Sequence, residues 1–411
     1  MPTYLSPGVF VEEVSSGARP IEAVGTSTAA FVGIAPEAGA RPNEPVAVNN
    51  WSEFVRIFAP NATAGNALSN AVFGFFANGG SRCWIVNTGD DGPVFGRGRG
   101  IDTLAVIDEI AMIAAPGKTD PATYDALLTA AETLGDRVAI LDGPETAENI
   151  EQLTRVGTES APAPAPAPAD DGTTPPPTRS RAAAARTSSG LRPRTSERGY
   201  GAVYFPWIRA RDPFAPAQLV SVPPSGAVAG ICARTDTERG VHKAPANATV
   251  RGALGVTQMI TKADQEVLNP AGVNCLRMFV RDGVLLWGAR TLADSASEWR
   301  YLNVRRLFNM IEESIARSTN WVVFEPNDRP LWKAIRRDVG AFLTLIWRQG
   351  ALMGATADEA FFVKCDAETN TQESIDAGMV ITLVGLAPVK PAEFVIFRIG
   401  QSASGATVEA V

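Results

Sequence analysis

The sequence predicts a multi-domain fold that is α/β at first and α+β in its last third, with an extended arm at the N-terminal end. Three observations carry this. The chain has 411 residues, enough for two or three ordinary cores. Apolar strand patterns alternate with short helical ones up to about residue 260, after which long amphipathic helices dominate. Finally, the first twenty residues and the stretch 158–198 are too rich in Pro, Gly or Ala to build a core.

The first twenty residues contain Pro2, Pro7, Gly8, Gly17 and Pro20, which exclude a helix. Between them Val9, Phe10, Val11, Glu12, Glu13 and Val14 read as a short strand. It has no hairpin partner nearby in sequence, so it needs a sheet edge elsewhere. Residues 21–87 read as the first part of a core. They hold a strand at 29–35, a short helix at 52–58 and a helix at 66–76 with Leu68, Val72, Phe75 and Phe76 on one face. Asn78, Gly79 and Gly80 stop that helix, and a strand follows at 83–86.

Residues 88–261 read as an α/β domain, with strands at 110–116 and 138–142 around a helix at 122–134. The second strand ends on the polar Asp142, a position that holds ligands in many open α/β sheets. Within this stretch, 158–198 alternates Ala and Pro and then turns basic through Arg179, Arg181, Arg186, Arg192, Arg194 and Arg198. It is expected to be a disordered, solvent-exposed insertion. An aromatic strand at 200–208 and a helix of small residues at 226–234 follow, the latter suited to close packing.

Residues 262–399 read as α+β. Strands at 274–280 and 284–289 flank the hairpin turn Arg281-Asp282-Gly283. A long amphipathic helix is expected at 299–318, a strand at 321–325 and a second long helix at 329–348. Strands at 361–365, 379–386 and 393–399 close the domain; the last carries Phe394, Val395, Ile396 and Phe397. A polar tail, 400–411, ends the chain.

Composition narrows the function. The net charge is −7, which argues against nucleic acid as the main partner. No apolar run approaches the ~20 residues of a membrane helix, so direct membrane insertion is not expected. The N-terminus lacks the basic and apolar regions of a signal peptide, and the expected site of synthesis is the cytoplasm. Cys83, Cys232, Cys275 and Cys365 lie far apart in apolar contexts and read as buried hydrophobes rather than a disulfide or zinc framework.

Candidate chemistry is sparse. His242 is the sole histidine; Ser225 and Asp236 lie near it in sequence, but no GxSxG elbow surrounds the serine. Gly226 and Gly230 open a helix without the Lys-Ser/Thr of a phosphate-binding loop, so close packing accounts for them. Asp236, Glu238, Arg239 and Lys243 form a mixed charge cluster in a segment read as a loop. Trp299, Tyr301, Trp321, Trp332 and Trp347 read as core aromatics in preference to a sugar-binding platform. Lys333, Arg336 and Arg337 share a helix face in an otherwise acidic chain. The reading implies no cofactor and no metal. An α/β hydrolase with its site in 88–260 is the alternative that one histidine and scattered cysteines disfavour.

Many stretches, in order along the chain, resemble the phage tail sheath family, which includes the sheaths of extracellular contractile injection systems. They are Tyr4 to Glu13, Gly25 to Gly33, Asn78-Gly79-Gly80, Tyr204 to Ile208, Val222 to Gly226, Asp236 to Asn247 and Leu268-Asn269-Pro270. Further on come Val284 to Thr291, Tyr301 to Arg306, Phe324 to Asn327 and Ala387 to Phe394; the insertion 158–198 is the departure. The resemblance implies an outer α/β domain, an inner C-terminal α+β domain and terminal arms that add strands to neighbouring subunits. It implies a helical homopolymer around an inner tube protein, with baseplate and terminal cap proteins as further partners. Such a sheath contracts from a metastable extended state, hydrolyses no nucleotide and forms part of a phage-tail-like particle. It also implies that Asp236, Glu238, Arg239 and Lys243 form an interface loop, and that Lys333, Arg336 and Arg337 contact the tube.

Overall fold

A computed structural model describes residues 20–90, 92–157, 190–394 and 396. The first elements are β1 (Ala29–Gly33), β2 (Val46–Val48), α1 (Trp51–Phe58), α2 (Ala67–Ala77) and β3 (Cys83–Asn87). Next come β4 (Met112–Ala114), α3 (Pro121–Leu134), β5 (Val138–Asp142), β6 (Gly201–Phe205), β7 (Ile208–Arg211) and β8 (Leu219–Val222). They are followed by α4 (Ser225–Arg239), β9 (Ala248–Thr249), β10 (Ala253–Val256), α5 (Lys262–Leu268), β11 (Val273–Phe279) and β12 (Gly283–Trp287). The last part holds α6 (Leu302–Ser318), α7 (Arg329–Arg348), β13 (Phe361–Lys364) and β14 (Leu383–Leu386).

Nine strands form one mixed sheet in the order β2-β3-β1-β4-β5-β6-β11-β12-β9, parallel from β3 through β11. The period-2 rule sorts its side chains into two cores. Ala29, Phe31, Val138, Ile140, Ala202 and Tyr204 face α1, α2 and α4. Ala30, Val32, Ala139, Leu141, Val203 and Phe205 face α3 and α5. Helices on both faces explain why the strands read as continuous apolar runs. The small residues of α4 are used as the sequence suggests. A β-carbon at Gly226 would collide with the carbonyl of Ala71, and one at Gly230 with that of Phe75 on α2.

A separate core joins α6 and α7, with Leu307, Ile311, Trp332, Ile335, Val339, Phe342 and Leu343 at its centre and Ile21 packed against them. β13 and β14 form a two-stranded antiparallel sheet over it. Among the described residues no helix is long and apolar enough to cross a membrane.

Several expectations need correction. The main sheet runs unbroken across the limits expected at 87/88 and 261/262, because β11 finds its partner in β6, pairing Val273 with Val203. The strand expected at 200–208 is cut at Pro206, which has no N–H for a ladder, and β6 and β7 enter different sheets. The helix expected at 226–234 continues to Arg239, so Asp236, Glu238 and Arg239 are helical rather than loop residues. Residues 320–322 form a 3-10 turn instead of a strand, since no sheet edge is near enough to satisfy their β propensity. The 379–386 strand shortens to β14.

The expected disorder of 158–198 fails over its last nine residues. Arg192 is buried and bridges to Val156, and Arg194 pairs with Asp125 and Glu132 on α3. Residues 158–189 lie outside the described residues, as does the N-terminal strand Val9, Phe10, Val11, Glu12, Glu13 and Val14. Val395 and Phe397 are also outside; Phe394 and Ile396 are exposed and in no strand, with no partner for their backbone among the described residues.

Candidate functional site at the roots of the two arms

The first turn of α6 gathers segments from distant parts of the chain. Arg306 reaches Asp236 on α4 through Nη1 to Oδ1 at 2.9 Å and Nη2 to Oδ2 at 2.6 Å. The same Nη2 donates to the carbonyl of Thr26 at 3.0 Å, and the Thr26 hydroxyl donates to Asp236 at 2.6 Å. The two ionic side chains are only 3% and 5% exposed. Burial alone would depress the arginine pKa, but the Asp236 charge lifts it, so the guanidinium stays charged. This bidentate pair ties the chain just after the N-terminal arm to both α4 and α6. Farther along α6, Ser314 and Ser318 accept from the backbone N–H groups of Val24 and Glu22, and Ile21 enters the helical core. Residues 21–26 are therefore held at a fixed place against α6.

The C-terminal arm has its own anchor. Arg290 grips Glu393 through Nη2 at 2.6 Å and Nε at 2.8 Å, and Tyr301 adds a hydroxyl donor at 3.3 Å. Burial raises the Glu393 pKa, yet the Arg290 hydrogen bonds and charge outweigh it and hold the carboxyl below its usual range. One turn onto α6, Asn303 donates to the carbonyls of His242 at 2.7 Å and Val389 at 3.3 Å. Tyr301, Asn303 and Arg306 thus hold both arm roots and the segment following α4.

Arg305, between them, is buried in an aromatic cage. Its guanidinium sits 4.3 Å from the Trp299 ring and 4.6 Å from that of Tyr200, and Nε donates to Asn309. Trp321, Trp332 and Trp347 pack in the helical core as expected. Trp299 instead stacks on Arg305, and Tyr301 lies under Arg300.

The β13–β14 sheet presents two open edges. Ala387 donates to the Ala360 carbonyl and accepts from Met353 N–H, so residues 383, 385 and 387 turn their peptide groups toward β13. Val384 and Leu386 turn theirs outward on one edge; Phe361 and Val363 do so on the other, where the Phe361 N–H is taken by the Ala357 carbonyl of the preceding helical turn. Among the described residues no further strand pairs with either edge. Pro388 follows on the outward side of β14 and, lacking an N–H, ends that edge.

The expected cationic stripe lies on the exposed side of α7. Lys333 and Arg336 point to solvent, and Arg337 donates to Asp338 at 2.8 Å while half of its side chain stays exposed. The mixed cluster expected as an interface loop is dispersed. Asp236 is consumed inside the chain by Arg306, Glu238 and Arg239 are exposed on the last turn of α4, and Lys243 caps the Ala244 carbonyl.

No catalytic arrangement forms around His242. Ser225 opens α4 and Asp236 lies eleven residues on, about 16 Å along the helix axis. The Ser225 hydroxyl and N–H both donate to Asp142, which also accepts from Gly117 N–H. Burial pushes the Asp142 pKa up to about 6 against these three hydrogen bonds. The carboxylate is a tie between strand and helix with no open side. Arg306, Arg290, Thr26, Asn303 and Glu393 were missed as a group. Most lie in stretches that carry the family resemblance, but nothing in a sequence shows that residues 280 positions apart share a hydrogen bond.

A family model described as phage tail sheath protein central domain matches residues 173–292, and one described as phage tail sheath C-terminal domain matches 294–402. Over 177 residues the chain is 29% identical to the tail sheath protein of Vibrio phage KVP40, covering 42% of this chain and 26% of that protein. The match thus spans about a quarter of the phage relative's length. The chain is also similar to the sheath complex of an extracellular contractile injection system, PVC, in its contracted state. There the TM-score is 0.73 at 29% identity over 98% of this chain and 99% of the other. A chain of the anti-feeding prophage baseplate in its contracted state gives 0.73 at 30% identity, with coverage of 97% and 99%.

Proposed function

The chain belongs to the phage tail sheath family, and from that premise we propose that it is the sheath subunit of a contractile, phage-tail-like injection machine. The observation that carries this reading is the correspondence, over 98% of this chain, with a chain of a contracted sheath complex. In this reading the subunit is a structural protein, not an enzyme, and polymerises helically around an inner tube protein between a baseplate and a terminal cap. It is made in the cytoplasm and becomes part of a particle that is retained or released. Contraction from a metastable extended packing drives the tube through a target envelope; a bistable packing with a few kcal/mol between states per subunit, summed over many copies, supplies the work.

The open edges and the anchored roots support a mesh of exchanged strands. The segments around Val9 to Val14 and Phe394 to Phe397 add to the β13 and β14 edges of neighbouring copies. Backbone ladders of this kind survive rotation of the side-chain surfaces around them. Rigid roots matter for the same reason: slack at Thr26 or Glu393 would uncouple one ring from the next. Lys333, Arg336 and Arg337 face an acidic tube surface in the extended state, where charge complementarity sets register.

Negative-stain microscopy of the expressed protein is the test. Hollow cylinders or helical fragments are expected, and uniformly small particles at high concentration would overturn the assignment. Reversing the three α7 charges should yield contracted or empty sheaths; normal extended particles would remove the tube contact from the scheme.

A further inference from the structure

The loop joining α6 to α7 ends in a feature that the arms do not explain. Phe324 is fully exposed and Val323 is 60% exposed at the loop tip. Phe324 also holds a left-handed backbone, φ 69°, a conformation that strains a bulky residue. The loop is nonetheless rigidly set. Asn327 donates to the Met379 carbonyl and accepts from the Trp332 indole, and Asp328 caps α7. Glu325, next to the tip, is exposed and has no ion-pair partner among the described residues. A strained, preformed, uncovered aromatic beside a free carboxylate has the makeup of an interface anchor.

A matching hollow lies elsewhere on the chain, between α2, β7 and β10. Its volume is about 280 Å³, and its apolar walls include Phe73, Ala77, Ile208, Val222 and Leu254. A cavity of roughly 150 Å³ already accepts a benzene ring, so this one has room for Phe324 with part of Val323. Phe73 and Leu254 at its rim are themselves exposed. Arg251 and Arg211 stand at the mouth; Arg251 has no ion-pair partner among the described residues.

We infer that the Val323–Phe324 tip of one copy inserts into the α2–β7–β10 hollow of a second copy, with Glu325 meeting Arg251. The knob and the hole are different surfaces, so the contact is head-to-tail and propagates into an open helix instead of closing a dimer. The inference rests on the sheath reading and adds to it a side-chain contact independent of the arms.

Engineered cysteines test it cleanly because all four native cysteines are buried. Phe324→Cys and Leu254→Cys proteins are co-assembled and oxidised, and the wild-type assembly is imaged in parallel. A disulfide-linked species containing one of each variant is expected, at least about tenfold above either variant alone. Glu325→Arg and Arg251→Glu should each reduce assembly about tenfold, and the double exchange should restore it. Normal wild-type sheaths without the mixed disulfide, or charge exchanges that show no rescue, would overturn the knob-in-hole contact while leaving the sheath reading intact. Failure of the wild type to assemble would overturn both.

Discussion

The nine-stranded sheet and the α6–α7 unit treat their backbone in opposite ways. In the sheet, β1, β5 and β6 are buried along their whole length, helices cover both faces, and the edge strands β2 and β9 shrink to three and two residues. Short edges of this kind resist further pairing. In the α6–α7 unit, β13 and β14 have four residues each, both outer edges are open, and one face is bare, with Phe362 57% and Leu383 50% exposed. The Phe362 ring lies over Gly385 on that face. The first region completes its interactions within one chain. The second leaves backbone groups of its outer edges without partners among the described residues, which is the condition the proposed strand exchange needs.

Removing residues 1–14 should have the largest effect. Assembly should be lost entirely while the melting temperature of the free subunit stays unchanged, because the three described cores are complete from Ile21 onward. Sedimentation and calorimetry on one sample would check both halves, and a fall in subunit stability would erase the contrast between the regions.

Asp236→Ala is expected to cost the subunit itself about 3–5 kcal/mol, since it strands the buried Arg306 without a counter-charge. Thermal unfolding should register this as a drop of several degrees, and a change limited to assembly would show that the pair is not part of the core.

Proline at β14 sharpens the comparison to single residues. Val384→Pro removes an N–H from the open edge alone, so the subunit should fold normally and assemble more weakly by about 1 kcal/mol per lost bond. Gly385→Pro instead removes an N–H that faces β13 and should destabilise the small sheet in the free subunit. Equal behaviour of the two variants would mean that the assigned edge is wrong.

The smallest effect concerns pH. Glu393 has its folded pKa held below the ordinary value, so its pairing with Arg290 stabilises the arm root at neutral pH and is lost as pH falls through that lowered pKa. Amide protection at residues 389–394, taken relative to intrinsic exchange, should therefore fall as pH drops through that lowered pKa, and Glu393→Gln should show weak protection already at neutral pH. An exchange rate independent of this carboxylate would release the C-terminal root from its proposed anchor.

Local patterns were enough for most helices and for the hairpin. The expected second long helix at 329–348 coincides with Arg329–Arg348, because Asp328 caps it, Pro330 suits its first turn and its apolar residues repeat at the helical period. The β11–β12 hairpin follows from Asp282-Gly283 with Gly283 at φ 74°. By contrast, Trp321 to Phe324 has strong β propensity and no strand, since a strand exists only where an edge is within reach. Arg192 and Arg194 read as part of a solvated basic run and are structural, because α3 places Asp125 and Glu132 opposite Arg194 and the turn between α5 and β11 places the Ala271 carbonyl opposite Arg192.

The sequence by itself therefore determined the periodic elements, the apolar faces and, through resemblance, the family. Each of those depends on residues a few positions apart or on the order of short motifs. Tertiary structure alone decided that β11 and β12 complete the first sheet, that Asp236 is spent on Arg306, and that residues 21–26 are held along α6 while Glu393 is held by Arg290. Those outcomes depend on which distant surfaces meet, and a buried charge or an unpaired strand takes whichever partner the packing brings within hydrogen-bond distance.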